Sequence, residues 1–235
     1  MIPLHDDNPT RRFGWMTASL VAVNTAVFVF ELSVASKGPA ALDAFIGQWA
    51  FTPSRFFAHP LLPMEIATIF VSMFMHAGFL HIGGNMLFLW IFGNNVEDRL
   101  GPLRYLGFYL IAGIIATIGQ GLMATGSAIP NLGASGAIAG VLGAYLLLYP
   151  RARVLTAIII IFFIELVRIP AIIVIGIWFL LQLASGVGSL SGSTAANQGG
   201  VAYFAHVWGF LAGMAMVLPF VLSDRMRRTR FVGWR

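Results

Sequence analysis

Apolar residues in this chain form long runs separated by short polar segments. Six of these runs reach, or come close to, the roughly 20 residues that a helix needs to cross a bilayer. They cover residues 15–35, 81–95, 102–123, 135–150, 169–187 and 202–222. The pattern predicts an all-α polytopic membrane protein, a bundle of six transmembrane helices with a long first loop.

Two further apolar segments are harder to place. Residues 66–79 lie in the first loop and are interrupted by His76 and Gly78, so we interpret them as a re-entrant or interfacial stretch of a membrane-associated loop. Residues 154–164 follow Pro150 and end just before Glu165. They are predicted to form either an interfacial hairpin or the beginning of the fifth span.

The basic residues support this topology. When the N-terminus is placed inside, Lys37 and Arg55 are the only two of the 14 Lys and Arg residues that fall outside. The positive-inside rule therefore favours an even number of spans with both termini cytoplasmic, in a multi-pass protein of the cell (inner) membrane. The predicted organisation is a cytoplasmic tail (1–14), a membrane domain (15–222) and a basic cytoplasmic tail (223–235).

Composition narrows the class further. Hydrophobic residues make up 58% of the chain and charged residues 10%, whereas about a quarter of a soluble domain is charged. The net charge of +5 comes from short clusters between the apolar runs, which favours a lipid bilayer as partner and argues against nucleic acid. The chain has no cysteine, and its five histidines lack metal-ligand spacing, so neither a metal nor a cofactor is expected.

Two polar side chains occur at matching depths in the fourth and sixth spans. Ser135 lies about 24 Å from Arg151 along the helix axis, and His206 lies about 26 Å from Ser223. Because the hydrocarbon core is about 30 Å thick, both side chains are expected slightly below the non-cytoplasmic face. Helix ends submerged at that depth require a water-filled cavity, so a wet pocket that opens outward is predicted.

Glycine spacing gives these two spans a way to meet. Small residues recur four apart on both, as the pairs Gly136 and Gly140, and Gly209 and Gly213. Such pairs permit close backbone approach and by themselves indicate only helix packing. Here the serine and the histidine both lie just outward of a glycine row, so contact between the rows would let their side chains form a hydrogen bond.

A serine beside a histidine suits nucleophilic acyl transfer, because the imidazole can take the hydroxyl proton and later protonate the leaving amine. Ser135 begins a helix, where free N–H groups favour an oxyanion. His81 and Asn85 share a helix face as two further donors, although they could instead only cap and tether that helix. No acidic residue occurs near the outer ends of these spans, so a dyad is favoured over a triad.

Taken together, these motifs resemble the rhomboid intramembrane serine proteases. The resemblance extends from about residue 45 to 222, and Glu97, Arg99 and Gly101 match that family's short charged motif. The motifs that carry it are His81-Ile-Gly-Gly-Asn85, Gly133-Ala-Ser135-Gly136 and Ala205-His206 followed by Gly209 and Gly213.

The resemblance implies a role for each of these residues. Ser135 would be the nucleophile and His206 the general base, while His81, Asn85 and the Ser135 backbone N–H would form the oxyanion hole. The substrates would be single-span membrane proteins cleaved near the outer face without metal or cofactor. Ala139 stands where some relatives have an aromatic residue against the histidine, which leaves Tyr203 as a candidate to hold His206.

A second function stays open alongside proteolysis. A rhomboid-like protein could use the same cavity to bind or transport membrane segments without hydrolysis. The sequence makes no prediction of oligomeric state.

Overall fold

The computed structural model describes residues 1–160, 163–190 and 202–232, and about 70% of the chain is helical. In chain order the elements are β1 (Ile2–Asp6), α1 (Trp15–Ala35), α2 (Pro39–Trp49), α3 (Pro53–Ala58), α4 (Pro63–Ser72), α5 (Phe79–Leu100), α6 (Pro102–Met123), α7 (Ser135–Leu148), β2 (Arg153–Ile160), β3 (Phe163–Pro170), α8 (Ala171–Leu190) and α9 (Tyr203–Val232). The prediction of a polytopic helical fold is confirmed.

Within the part of the chain that the structure describes, four helices, α1, α6, α8 and α9, are long and apolar enough to cross a membrane. The other two predicted spans differ from them in length or in polarity. Helix α5 has 22 residues and extends past the predicted end at residue 95 into a polar last turn. Helix α7 has only 14 residues, about 21 Å of rise, and every side chain from Gly136 to Tyr145 is buried. It is therefore the central helix, surrounded by α5, α6, α8 and α9.

The long first loop contains three short helices, α2, α3 and α4. Arg55 on α3 forms an ion pair with Glu65 on α4 at 2.7 Å, and Phe51, Phe56 and Ile69 form a small buried cluster between them. A backbone bridge joins Phe51 to Asn131, just before α7. The loop is thereby attached to the segment that leads into Ser135. The predicted interfacial stretch 66–79 is divided between the end of α4 and a loop in which His76 is buried.

Within the predicted segment 154–164, residues 154–160 and 163–164 belong to the two strands of a β-hairpin, and residues 161–162 lie outside the described residues. β2 and β3 pair antiparallel from Arg153 with Pro170 to Ile160 with Phe163, and the β-branched composition of β2 favours that conformation. Of the two predicted alternatives the hairpin is therefore the correct one, and the early start of the fifth span is wrong because α8 begins at Ala171.

The predicted N-terminal tail also contains structure. β1 pairs antiparallel with β2, with Ile2 opposite Ala157 and Asp6 opposite Val154, to complete a three-stranded sheet that the sequence pattern did not predict. At the other terminus α9 continues to Val232, beyond the predicted boundary at 222. Residues 233–235 of the predicted basic tail lie outside the described residues.

The bundle has two chemically different ends. The basic end carries β1, the sheet and the C-terminal turns of α5 and α7, with Asp7 bonded to Arg153 and paired with Arg168. The dyad end carries the N-terminal turns of α5, α7 and α9, and therefore His81, Ser135 and His206.

Candidate active site

Ser135 and His206 lie within hydrogen-bonding distance. Ser135 is the first residue of α7 and His206 lies in the first turn of α9, and the serine Oγ is 2.7 Å from the histidine Nε2. Ser135 is partly exposed, whereas only 8% of His206 is accessible. Because the first N–H groups of a helix lack partners within it, the Ser135 hydroxyl lies beside unpaired donors at the positive end of the α7 dipole.

Glycine makes this approach possible. A methyl group at Gly209 would overlap the carbonyl oxygen of Gly136, and one at Gly213 would overlap that of Gly140. At both positions the obstacle is backbone, which cannot move aside as a side chain can. The α7–α9 contact therefore requires glycine where the spacing predicted it, and the dyad distance depends on that contact.

The partner of His206 on its other side is Gln182, which the sequence analysis missed. Gln182 Oε1, on α8, lies 2.6 Å from His206 Nδ1. The ring of Trp178, one turn earlier on α8, lies 5.7 Å from the His206 ring between centroids, tilted by 40°. A signal was present in the sequence, because Gln182 is the first polar side chain in the apolar run that begins at Ala171.

The prediction that Tyr203 holds His206 is therefore wrong. The first turn of α9 is instead fixed by Gln120 on α6, whose Oε1 accepts a hydrogen bond of 3.0 Å from the Ala205 backbone N–H. The Cβ atom of Tyr203 would lie 3.4 Å from a methyl group at Gly186 on α8. Ala139 is fully buried in α7, and the aromatic contact to the histidine comes from Trp178.

His81 is adjacent to the serine. Its Nδ1 accepts a 3.4 Å hydrogen bond from the Ala77 backbone N–H, so in the neutral ring Nε2 carries the proton. A methyl group at Gly133 would lie 2.8 Å from His81 Nε2 and 3.6 Å from Ser135 Oγ, and the φ angle of Gly133 is +132°. Glycine is thus needed there both for conformation and for space, and it brings the imidazole donor beside the serine.

Asn85 lies one turn after His81 on the same face of α5 and is buried. Its Nδ2 is inaccessible to solvent and has no hydrogen-bond acceptor among the described residues. A buried amide donor without a partner costs roughly 1–3 kcal/mol. Such a donor, one helical turn from His81, calls for an explanation other than the stability of the fold.

A buried carboxylate and a second imidazole lie behind His81. Glu31 of α1 accepts a 3.0 Å hydrogen bond from the His76 backbone N–H, and the His76 and His81 rings lie 5.2 Å apart. Burial, and secondarily His81, lower the pKa of His76 to about 4, so the His76 side chain is neutral at physiological pH. His76 was predicted to lie in a re-entrant or interfacial stretch of the first loop; it is buried in the loop segment that precedes α5, next to His81.

A cavity adjoins Ser135 on the α6 side. The side chains of Ser72, Thr117, Gln120 and Asn131 contribute to its lining, together with Gly133 and Gly136. Such polar groups can hold water next to the serine. As for a metal, no group of three or more His, Asp or Glu side chains suited to one occurs within residues 1–160, 163–190 and 202–232.

The fold and the site define a polytopic membrane protein with a serine-histidine pair near one face. Comparison with known proteins gives the family: the rhomboid domain model matches residues 63–223, well over half of the chain. The chain belongs to the rhomboid family.

Several curated proteins are similar to this chain. Rhomboid protein 1, mitochondrial, of Saccharomyces cerevisiae is 32% identical over 173 residues, which is 71% of this chain and 46% of the yeast protein. The human presenilin-associated rhomboid-like protein, mitochondrial, is 35% identical over 105 residues, 43% of this chain and 28% of that protein. RHOMBOID-like protein 1 of Arabidopsis thaliana is 29% identical over 157 residues, 57% and 39% of the two chains. The chain thus spans less than half the length of each.

These relatives contradict the predicted location. The yeast and human proteins are mitochondrial by name, which contradicts the cell membrane that the charge pattern suggested. The assignment of both termini to the cytoplasm loses its basis together with the cell membrane location. The positive-inside rule places the basic residues on one side of the membrane but does not name the compartment. The multi-pass membrane character is unaffected.

Proposed function

We propose that this protein is an intramembrane serine endopeptidase that cleaves single-span membrane proteins by a Ser135–His206 dyad. The observation that carries the proposal is the 2.7 Å separation of Ser135 Oγ and His206 Nε2 at the N-terminus of α7. The rhomboid family includes intramembrane serine proteases, and the chain has both residues that such chemistry requires.

The geometry supports a two-step acyl transfer. In the first step Ser135 Oγ attacks the scissile carbonyl carbon while His206 Nε2 takes the hydroxyl proton, and the resulting imidazolium protonates the leaving amine. In the second step water attacks the acyl-serine, His206 takes its proton, and the serine oxygen leaves with that proton. The polar cavity beside Ser135 is a reservoir for this water.

Three groups could stabilise the oxyanion. They are the His81 Nε2–H, the unpartnered Asn85 Nδ2 and the backbone N–H of Ser135. Donors aimed at a developing charge in a dry site each contribute about 10²–10³ in rate. The proposal thus gives a purpose to a buried donor that would otherwise only destabilise the fold.

The position of the dyad indicates where a substrate would be cut. Ser135 and His206 lie at one end of helices whose other ends carry the basic residues, so the reacting atoms lie close to one membrane face. A peptide bond reaches that depth in an extended form only near the end of a transmembrane segment. The substrate class is therefore a membrane protein cleaved near the face opposite the basic end.

The test uses the full chain in detergent with a single-span substrate and, in parallel, a fluorescent serine-directed phosphonate. The wild type should cleave the substrate and become labelled, and Ser135→Ala should lose both activities. His206→Ala should lower both by about 10²-fold or more, because general-base assistance is lost. Ser19→Ala changes an exposed serine at the basic end and is the matched control that retains both.

Two outcomes would contradict the proposal. Normal cleavage by Ser135→Ala would remove the nucleophile from the mechanism. Substrate binding without cleavage or labelling of the wild type would favour the rhomboid-like binding or transport alternative.

A further inference from the structure

We propose that Gln182 is a positioning residue for this reaction and holds the place that an acidic residue holds in a Ser-His-Asp triad. The inference rests on the proposed function and goes beyond the dyad. Gln182 Oε1 lies 2.6 Å from His206 Nδ1, and Nε2 of the same ring lies 2.7 Å from Ser135 Oγ. The three side chains form a continuous hydrogen-bonded row from α8 through α9 to α7.

Gln182 selects the tautomer of the base. An amide oxygen can only accept a hydrogen bond, so His206 Nδ1 carries the ring proton. Nε2 is then left with a lone pair directed at the serine hydroxyl, which is the form that can remove a proton. The opposite tautomer would place two acceptors 2.6 Å apart and a proton on the nitrogen that has to accept one.

The same helix also fixes the plane of the ring. The Trp178 ring, one helical turn before Gln182, lies 5.7 Å from the His206 ring between centroids. Helix α8 therefore supplies both a hydrogen bond and an aromatic contact to His206. With 8% of His206 exposed, little water is available to replace a lost partner. Catalytic alignment therefore depends on α8 being packed against α9, although the nucleophile and the base both lie on other helices.

A neutral partner is consistent with the depth of the site. An ionised carboxylate within a transmembrane segment costs several kcal/mol, whereas an amide oxygen provides the tautomer-setting acceptor without a charge. The amide also stabilises an imidazolium less than a carboxylate would. Replacing Gln182 by Glu should therefore change the pH dependence of the reaction in a way that a purely structural residue would not.

The experiment compares Gln182→Leu and Gln182→Glu with the wild type, using kcat, KM and the pH profile of kcat on a single-span substrate. Gln182→Leu should lower kcat by about tenfold to a hundredfold with KM within about twofold, since the base is misaligned while substrate contacts remain. Gln182→Glu should have a higher kcat than Gln182→Leu. Its acidic limb should move to higher pH by about one unit or more, because a carboxylate stabilises the protonated imidazole.

The controls separate positioning from packing. His81 on α5 lies beside Gly133 and Ser135, and it is unchanged in both variants. Phe179→Leu removes a ring of α8 that stacks on Phe210 of α9, with 4.4 Å between the ring centroids. It should lower the melting temperature without moving the pH profile.

The outcomes are decisive in either direction. Wild-type kcat in folded Gln182→Leu, or a Gln182→Glu profile superimposed on that of the wild type, would overturn the inference. If Gln182→Leu does not fold, the profile of Gln182→Glu alone decides. Cleavage that persists in Ser135→Ala would instead overturn the proposed function, so the two failures are distinguishable.

Discussion

The basic end and the dyad end of the bundle differ in how two of their buried polar side chains are satisfied. At the basic end, Glu97 of α5 accepts hydrogen bonds from the Met16 and Thr17 backbone N–H groups and from the Thr17 hydroxyl, at 2.7–2.9 Å. Asp6 of β1 accepts one bond from Tyr145 and one from Asn95. At the dyad end, Asn85 Nδ2 and His76 Nε2 are buried without partners among the described residues.

Under the proposed function, the basic end stabilises the fold and the dyad end keeps a hydrogen-bond donor free for a substrate. Glu97 acts as the N-terminal cap of α1, because the local cap residue, Gly14, has no side chain to do so. Its bonds are complete in the structure as it stands. Under the proposed function, the oxyanion of a substrate would supply the acceptor that Asn85 Nδ2 lacks at the dyad end, and part of the stability would be given up there for activity.

The largest effect is expected from adding a methyl group to the glycine contact between α7 and α9, on which the dyad depends. Gly209→Ala places a methyl group against the Gly136 carbonyl, so α7 and α9 must separate. We expect the free energy of unfolding to fall by about 3 kcal/mol or more, at the upper end of overpacking costs, and we expect no detectable cleavage. Thermal unfolding in detergent and a cleavage assay measure both.

The matched control is Gly107→Ala, since a methyl group at Gly107 meets no atom within 4 Å among the described residues. It should retain activity and gain slightly in stability from helix propensity. Equal behaviour of the two variants would mean that the glycine contact does not set the dyad distance.

The second prediction concerns the unpartnered donor at the dyad end. Asn85→Ala should lower kcat by about 10²-fold, as expected for loss of one oxyanion donor. Its melting temperature should stay the same or rise, because a buried group without an acceptor is removed. A stable variant with wild-type kcat would exclude Asn85 from the oxyanion hole.

The third prediction concerns the cap at the basic end, where we expect stability to fall while kcat is kept. Glu97→Ala should destabilise the protein by about 2 kcal/mol, because three donors at the start of α1 lose their acceptor. Once folded, the variant should cleave with nearly normal kcat. Glu97→Gln, which keeps one acceptor oxygen, is expected to lie between the two in a melting experiment. Loss of kcat without loss of stability would show that the basic end contributes to the reaction and not only to the fold.

The smallest expected effect concerns Asp6. Burial raises the pKa of the Asp6 carboxyl above its ordinary value of 3.8. The folded state therefore binds that proton more tightly than the unfolded state. The corresponding stabilisation is present at low pH and is lost as the pH rises from about 4 through the raised pKa.

Asp6→Asn keeps an acceptor for Tyr145 or Asn95 and removes this titration. Between about pH 4 and 7.5 the wild type should lose stability relative to the variant, as followed by melting temperature. A relative gain over that interval would show that Asp6 is stabilised as an anion instead.

Features encoded within one segment could be predicted from the sequence. The first and third spans, predicted as 15–35 and 102–123, are the helices Trp15–Ala35 and Pro102–Met123. The glycine rows and the start of α7 at Ser135 were also predictable, because helix periodicity and rise act over a few turns. The same reasoning predicted that Ser135 and His206 lie at one depth in the membrane.

Contacts between distant segments could not be predicted in this way. Residues 1–14 show no pattern that specifies pairing with a strand about 150 residues later, yet β1 lies against β2 and places Asp6 under Tyr145. Gln182 was visible as a polar residue in an apolar run, but its partner depends on how α8 is rotated against α9. The position of Trp178 depends on the same rotation.

The sequence by itself thus determined that this chain crosses a membrane, that it is built of helices, and that a serine and a histidine share one level near a face. Run lengths and glycine spacing suffice for this, because they act through local geometry and the thickness of the bilayer. Only the tertiary structure decided which side chain orients the histidine, which donor stays unpaired and how the N-terminal strand closes the basic end. Those outcomes depend on the packing of segments far apart in the chain, which no local pattern specifies.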